Sequence, residues 1–260
     1  MEHSAPEMCI VIILHRLVKG YPVVIGANRD EYYDRGGEVP AIREGTPRIL
    51  CGTDPRAGGT WLGVNEHGLL VALTDRKGGS PDPRRRSRGL LCLDALRCRS
   101  AQDVRSFLDE ELAHRGYNPF NLFYTDGSEA FVSHYRSAND KVLTVAVEPG
   151  LHALADTELD DASPKLVEAR KLLDGCTIGT VEAAVEELKR ALAYHGGGGA
   201  SICEHRDRAG TLSSSIVALG ARSIFLHCEG SPCRNQYADL SNTISDWGSA
   251  ASRANKEEER

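Results

Sequence analysis

Two apolar runs near the start of the chain, Cys9-Ile10-Val11-Ile12-Ile13-Leu14 and Val23-Val24-Ile25-Gly26-Ala27, limit what this protein can fold into. A strand with one solvated face alternates apolar and polar side chains. These runs are nearly continuous and rich in β-branched residues, the pattern of strands covered on both faces. Lys19-Gly20 supplies a turn between them, so the chain opens with a buried hairpin.

A second hairpin is expected from Thr60-Trp61-Leu62-Gly63-Val64, a turn at Asn65-Glu66-His67-Gly68, and the run Leu69 to Leu73. Helical spacing follows over Arg88 to Arg97, with Leu90, Leu91, Leu93 and Leu96 apolar. It resumes at Val104, Phe107, Leu108 and Leu112 behind Ser100, an N-cap with Asp103 at the third helical position. Strands are predicted over Asn121 to Tyr124, Ala130 to His134 and Val142 to Val147. Helices are predicted over Ser163 to Leu173 and Thr180 to Tyr194, and final strands over Ser214 to Leu219 and Ser223 to His227. Strands, two helices, strands, two helices and strands suit an α+β chain, a four-layer αββα sandwich of two mainly antiparallel sheets, better than an alternating βαβ fold. Residues 9–248 read as a single domain, 1–8 as an N-terminal extension or propeptide, and the polar 249–260 as a flexible tail.

A formal net charge of -6 argues against a nucleic-acid partner, which calls for a basic face. The basic run Arg84-Arg85-Arg86-Ser87-Arg88 follows a Gly- and Pro-rich stretch and reads as a solvated loop, with an anion site as the alternative. No apolar run approaches the roughly 18 residues of a membrane span, and the N-terminus lacks the layout of a secretory signal. A cytoplasmic location is therefore expected. The eight cysteines are scattered, with no C-x-x-C pair and none of the paired spacings of a zinc site, so they read as free thiols and no metal is expected. His152, His195, His205 and His227 read as ordinary surface or core histidines, since the nine histidines form no recognisable ligand pair.

Asn28-Arg29-Asp30-Glu31 closes the second strand, after Ala27 and before Tyr32-Tyr33. Taken alone, it is a polar strand end held by a local ion pair. In context it resembles the signature of the NRDE family. Met8-Cys9-Ile10-Val11-Ile12 resembles that family's start, and Gly58-Gly59-Thr60-Trp61-Leu62-Gly63-Val64 its second block. Arg88-Gly89, Tyr117-Asn118-Pro119-Phe120-Asn121-Leu122, and Gly210-Thr211 with Ser213-Ser214-Ser215-Ile216 resemble later ones. More remotely, Gly26-Ala27-Asn28-Arg29-Asp30 and the Asn65 to Gly68 turn resemble motifs of cysteine N-terminal-nucleophile hydrolases such as penicillin V acylase and bile salt hydrolase.

The resemblance implies an N-terminal-nucleophile-hydrolase-like fold with Cys9, Asn28 and Asp30 as catalytic residues. Arg29, Glu31, Trp61, Asp75 and Asp156 would form the pocket. A cysteine at a chain terminus carries its own base, because an α-amine with a pKa near about 7.7–8.0 takes the thiol proton. Asp30 would hold the amine and the sulfur. Two routes would expose Cys9: translation from Met8 with removal of that methionine, or cleavage of the first eight residues as a propeptide. Otherwise Cys9 is a buried strand cysteine. Asp75 and Asp156 fall where the hydrolases carry oxyanion-binding asparagines, and a carboxylate donates a hydrogen bond only when protonated.

The substrate of such an amidohydrolase or acyltransferase would be a small amide, with no cofactor required. The NRDE resemblance also implies a second reading, a carrier of haem or acyl lipid, in which haem would be the bound group. A degenerate hydrolase scaffold used for protein interaction is the third.

Overall fold

The computed structural model describes residues 9–78, 81–136, 141–245 and 247; the expected N-terminal extension and C-terminal tail lie outside them. Strands β1 (Ile10–Val18) and β2 (Tyr21–Tyr32) form the expected hairpin, with Ile13 opposite Ile25 and Ile10 opposite Asn28. Seven strands follow: β3 (Glu38–Arg43), β4 (Ile49–Thr53), β5 (Leu62–Asn65), β6 (Leu70–Asp75), β7 (Phe120–Thr125), β8 (Ala130–Arg136) and β9 (Lys141–Ala146). They make one sheet in sequence order. Strands β10 (Gly150–Leu154), β11 (Ala209–Leu219), β12 (Ile224–Glu229) and β13 (Ala238–Asp239) join the opening hairpin in a second sheet, ordered β10-β1-β2-β11-β12-β13. Neighbouring strands in both sheets run antiparallel.

Each sheet has one helix-covered face and one face against the other sheet, as expected for an αββα sandwich. Helices α1 (Arg88–Ala95) and α2 (Ala101–His114) pack their buried residues with Val71, Phe120 and Tyr135 of the seven-stranded sheet. Helices α3 (Pro164–Leu173) and α4 (Val181–Leu192) pack with Ile10, Ile12 and Leu14 of the six-stranded one. The alternate residues Val11 and Ile13 meet Leu70, Phe123 and Val132 between the sheets. This explains the unbroken apolar run: successive side chains enter two different cores. Gly26 belongs to the same logic, since a Cβ there would stand 2.9 Å from Leu192 Cδ1 and 3.1 Å from Leu188 Cδ2 of α4.

The motifs of the second hairpin do structural work. Asn65 accepts from the N–H groups of His67 and Leu69 and donates to the carbonyls of Leu96 and Cys98, so one amide both closes the turn and caps the end of α1. A Cβ on Gly59 would lie 2.2 Å from the Gly89 carbonyl carbon, and the Thr60 N–H donates to the Gly89 carbonyl at 2.9 Å. Backbone thus packs directly on backbone where α1 meets the sheet, which positions Arg88 at the end of β6.

Two expectations need correction. The basic run is no solvated loop: Arg86 pairs with Asp94 at 2.6 Å and donates to the Tyr117 hydroxyl, Arg85 donates to the Tyr117 carbonyl, and Arg88 pairs with Asp75 at 3.0 Å. Arg84, paired with Asp82, is the member that stays on the surface. Strands β3, β4, β10 and β13 were not predicted either. The outer strand β3 is half-exposed, contains Pro40 and has an irregular register between Glu38 and Ala41, so neither strict alternation nor an apolar run marks it.

Replacing Gly59 by alanine forces that backbone contact apart and is expected to destabilise the fold by more than about 2 kcal/mol in urea unfolding. Gly179→Ala, where nothing lies within 4 Å of the added Cβ, is expected to change stability by less than about 0.5 kcal/mol.

Candidate active site

Beyond Ala27, β2 continues into the polar segment Asn28-Arg29-Asp30-Glu31 while still deep in the protein; Asn28, Arg29 and Asp30 are all buried. Alternation divides them. The Asn28 amide points to the helix side, donating to the carbonyls of Leu192 at 2.9 Å and Ile202 at 3.0 Å. Arg29 points between the sheets, its guanidinium 4.2 Å from the Trp61 ring centroid. Gly37 and Gly52 make room for this stack: a Cβ at Gly37 would lie 2.9 Å from Arg29 Nη1, and one at Gly52 2.7 Å from the Trp61 ring.

Cys9 directly precedes β1 and is half-buried. Its thiol donates to the main-chain carbonyl of Asp30 at 3.7 Å, the long contact of a weak sulfur donor. Burial, then the charges of Asp30 and Asp75, push the thiol up to about 12, against a smaller opposing pull from Arg29. Cys9, Arg29, Asp30 and Asp75 are therefore brought together electrostatically.

The Asp30 carboxylate is buried and fully engaged. One oxygen accepts from the Thr211 hydroxyl at 2.6 Å, and the other pairs with the Lys165 ammonium at 2.9 Å. Glu204 stands 3.8 Å from the same ammonium and donates its backbone N–H to Thr211 Oγ1. Burial works against the charge on Lys165, but Asp30 and Glu204 outweigh it and hold its pKa above the ordinary lysine value. Lys165 lies in the first turn of α3, where the helix dipole also disfavours a cation, so the carboxylates answer both penalties.

Of the expected pocket residues, Arg29 and Trp61 line a cavity, and Glu31, Asp75 and Asp156 do not. Glu31 accepts from the Tyr32 N–H and pairs loosely with Arg35 at 3.6 Å, shaping the strand end. Asp75, at the end of β6, is tied to Arg88. Asp156 is buried and paired with Lys77 at 2.6 Å; the charges acting on the thiol are those of Asp30, Asp75 and Arg29 instead. The cavity, of about 260 Å³, opens beside Arg29 and is lined also by Gly37, Trp61, Leu212, Ser213 and His227.

Sequence reasoning missed Lys165, Glu204 and the part played by Arg88. Thr211 and Arg88 did sit inside motifs carrying the family resemblance, which is the signal that could have found them. Nothing local distinguishes Lys165 from a surface lysine of an amphipathic helix.

The layers and strand order define a class, the N-terminal-nucleophile-hydrolase-like fold. The penicillin V acylase of Agrobacterium tumefaciens shares it with a TM-score of 0.57 and 12% identity, over 90% of this chain and 86% of that one. A cysteine-to-alanine mutant of the conjugated bile acid hydrolase of Clostridium perfringens gives 0.57 and 10%, over 92% and 94%. The Caenorhabditis elegans ortholog of N-acylethanolamine-hydrolyzing acid amidase gives 0.56 and 11%, over 92% and 97%. At these identities the likeness is one of fold. Within that class, residues 8–207 match the Transport and Golgi organisation 2 family, and the chain belongs to it. The Transport and Golgi organization 2 homolog of Mus musculus is 31% identical over 159 residues, which span 58% of this chain and 56% of the relative. The Homo sapiens homolog is 31% identical over 160 residues, with the same coverage. The match thus spans a little over half the length of these relatives.

Removing one partner of the buried ion pair leaves the other charge uncompensated, so Lys165→Met is expected to cost about 3–5 kcal/mol in denaturant unfolding. The histidines give a separate acid signature. Burial holds His227 down to about 4, and burial with the nearby Arg76 charge does the same to His134. Both folded-state values lie below the unfolded value of about 6.5. Their contribution to stability is therefore present in full above about pH 6.5 and is lost as the pH falls through about 4. Urea midpoints measured between neutral pH and pH 4 are expected to fall over that window, and less steeply in His227→Asn.

Proposed function

We propose that this protein is an amidohydrolase or acyltransferase in which Cys9, as the first residue of the mature chain, is the nucleophile toward a small amide bearing a negative charge. The observation that carries the reading is the placement of Cys9 at the start of a central strand, against Asp30 and beside Arg29, on this fold. The fold neighbours are named as a penicillin V acylase, a conjugated bile acid hydrolase and an N-acylethanolamine-hydrolyzing acid amidase, which favours amide chemistry.

A thiol pushed up to about 12 is almost wholly protonated at neutral pH, so it needs a base. The α-amine of a terminal Cys9 would supply one, with a pKa near about 7.7–8.0. The amine takes the thiol proton and the thiolate forms a bond to the carbonyl carbon, moving the C=O electron pair onto oxygen. Collapse breaks the C–N bond as the ammonium returns its proton to the leaving amine. Water or another acceptor then cleaves the thioester. Asp30, held by Thr211 and Lys165, keeps the start of β1 in register with the end of β2.

Arg29 gives the reading its substrate class. It is buried, donates to the Gly36 carbonyl at 2.6 Å, and has no carboxylate within ion-pair distance among the described residues, yet it lines the cavity. A buried guanidinium with donors to spare, stiffened by stacking on Trp61, suits a carboxylate or similar anion. The cavity, at about 260 Å³, is slightly smaller than the usual ligand site and suits a small substrate. Asp75 opposes a developing oxyanion, and its pairing with Arg88 offsets part of that charge.

The first test is intact-mass and N-terminal analysis of protein made from the full reading frame and from Met8, followed by a panel of small acidic amides. A chain beginning at Cys9 is expected, with turnover that Cys9→Ala reduces to background. A chain retaining residues ahead of Cys9, or Cys9-terminal protein inert on the panel, overturns the reading. Asp75→Asn is expected to preserve or raise the rate, because it removes a charge that disfavours the thiolate; complete loss would show that the carboxylate itself is required.

A further inference from the structure

Four metal-ligating side chains from three separate segments converge beyond the Asp30 network. His195 follows α4, Cys203 and His205 lie in the segment leading to β11, and Cys233 lies beyond β12. One ligand atom from each lies within 4.8 Å of all the others. The Sγ atoms of Cys203 and Cys233 are 3.7 Å apart, and His205 Nε2 is 3.7 Å from the first and 3.1 Å from the second. A tetrahedral ion with metal–sulfur bonds of about 2.3 Å and metal–nitrogen bonds of about 2.0 Å sets ligand-to-ligand edges of roughly 3.3–3.8 Å. The three edges fall at or close to that range. A disulfide would instead bring the two sulfurs to about 2.05 Å.

His195 shows the outer hydrogen bond that accompanies metal-bound imidazole. Its Nδ1 lies 3.0 Å from the Cys203 carbonyl, so the N–H sits on Nδ1 and Nε2 keeps the lone pair. Two sulfurs and two imidazole nitrogens in a tetrahedron favour Zn²⁺ among the common ions. We propose that His195, Cys203, His205 and Cys233 form a structural Cys2His2 zinc site. Binding releases the two thiol protons, and two thiolates against one divalent ion leave no net charge.

The spacing His-x7-Cys-x-His-x27-Cys matches none of the compact paired-ligand patterns, which is why it went unnoticed in the sequence. The ion would tie the Cys233 segment to the loop after α4, where the Tyr194 carbonyl already accepts from the Ile202 and Cys203 N–H groups. Cys203 and His205 flank Glu204, which faces Lys165, and the preceding Ile202 carbonyl accepts from Asn28. Zinc would thereby brace the wall behind Asp30 from outside the reaction centre.

The test is a metal titration of the purified full chain after chelator stripping. Co²⁺ is expected to bind at one equivalent, giving strong visible d–d bands and a thiolate-to-cobalt charge-transfer band that one equivalent of Zn²⁺ abolishes. Cys233→Ser and His205→Ala should each weaken Zn²⁺ binding by at least about tenfold, while Cys176→Ser, outside the cluster, leaves it unchanged. The wild-type spectrum reads the site directly, so the result does not depend on how well the variants fold. Absence of these bands in the wild type, bands that persist in folded Cys233→Ser, or a Cys203–Cys233 disulfide in protein purified under reducing conditions would each overturn the proposal.

Discussion

Strand β2 is covered by helices on one face and by the second sheet on the other, and it is hydrogen-bonded along both edges, to β1 and β11. The polar groups that it carries inward draw most of their partners from within the protein, because packed layers cover most of both faces. From Val23 to Ala27 the strand meets this condition with apolar side chains. From Asn28 onward each residue calls for a partner drawn from elsewhere. Asn28 takes carbonyls from the end of α4 and the segment after it, Arg29 takes the Trp61 face and the Gly36 carbonyl, and Asp30 takes Thr211 and Lys165. The arrangement of helices and loops around this strand end follows from those demands.

The site is accordingly divided by the strand itself. The thiol, Arg29 and Trp61 are associated with the space between the sheets, whereas the Asp30 carboxylate and the Asn28 amide are anchored among the helices. Asp30 influences Cys9 through its charge and main-chain carbonyl, while its side chain binds α3 to β11 through Lys165 and Thr211. A group held in this way is rigid, and rigidity at the start of β1 is what a nucleophile at a strand end requires.

Much of this was legible in the sequence, and the reasons for the rest are physical. Doubly buried strands announce themselves as apolar runs, and Ser100 caps α2 through the Asp103 N–H as its position implied. The tetrapeptide at Asn28 stood out as a candidate site through the family resemblance, since taken alone it reads as a polar strand end. Its separation onto two faces follows from a period of two, yet which face meets helix and which meets sheet depends on partners far along the chain. Lys165 sits in an ordinary amphipathic helix, and its burial arises from Asp30, 135 residues earlier. Strands β3 and β13 escaped because an edge strand need not be apolar, and a two-residue bridge has no pattern at all.

The outer strands bear on how the molecule behaves at high concentration. An open sheet edge presents unpaired backbone groups on which another chain can add a strand. On β3 that invitation is withdrawn: Pro40 lacks an N–H, the register breaks between Glu38 and Ala41, and the charged ends Glu38 and Arg43 would have to be matched by any incoming strand. At β13 only two residues are extended. The same irregularity that hid these strands from sequence inspection guards one edge of each sheet against edge-to-edge association.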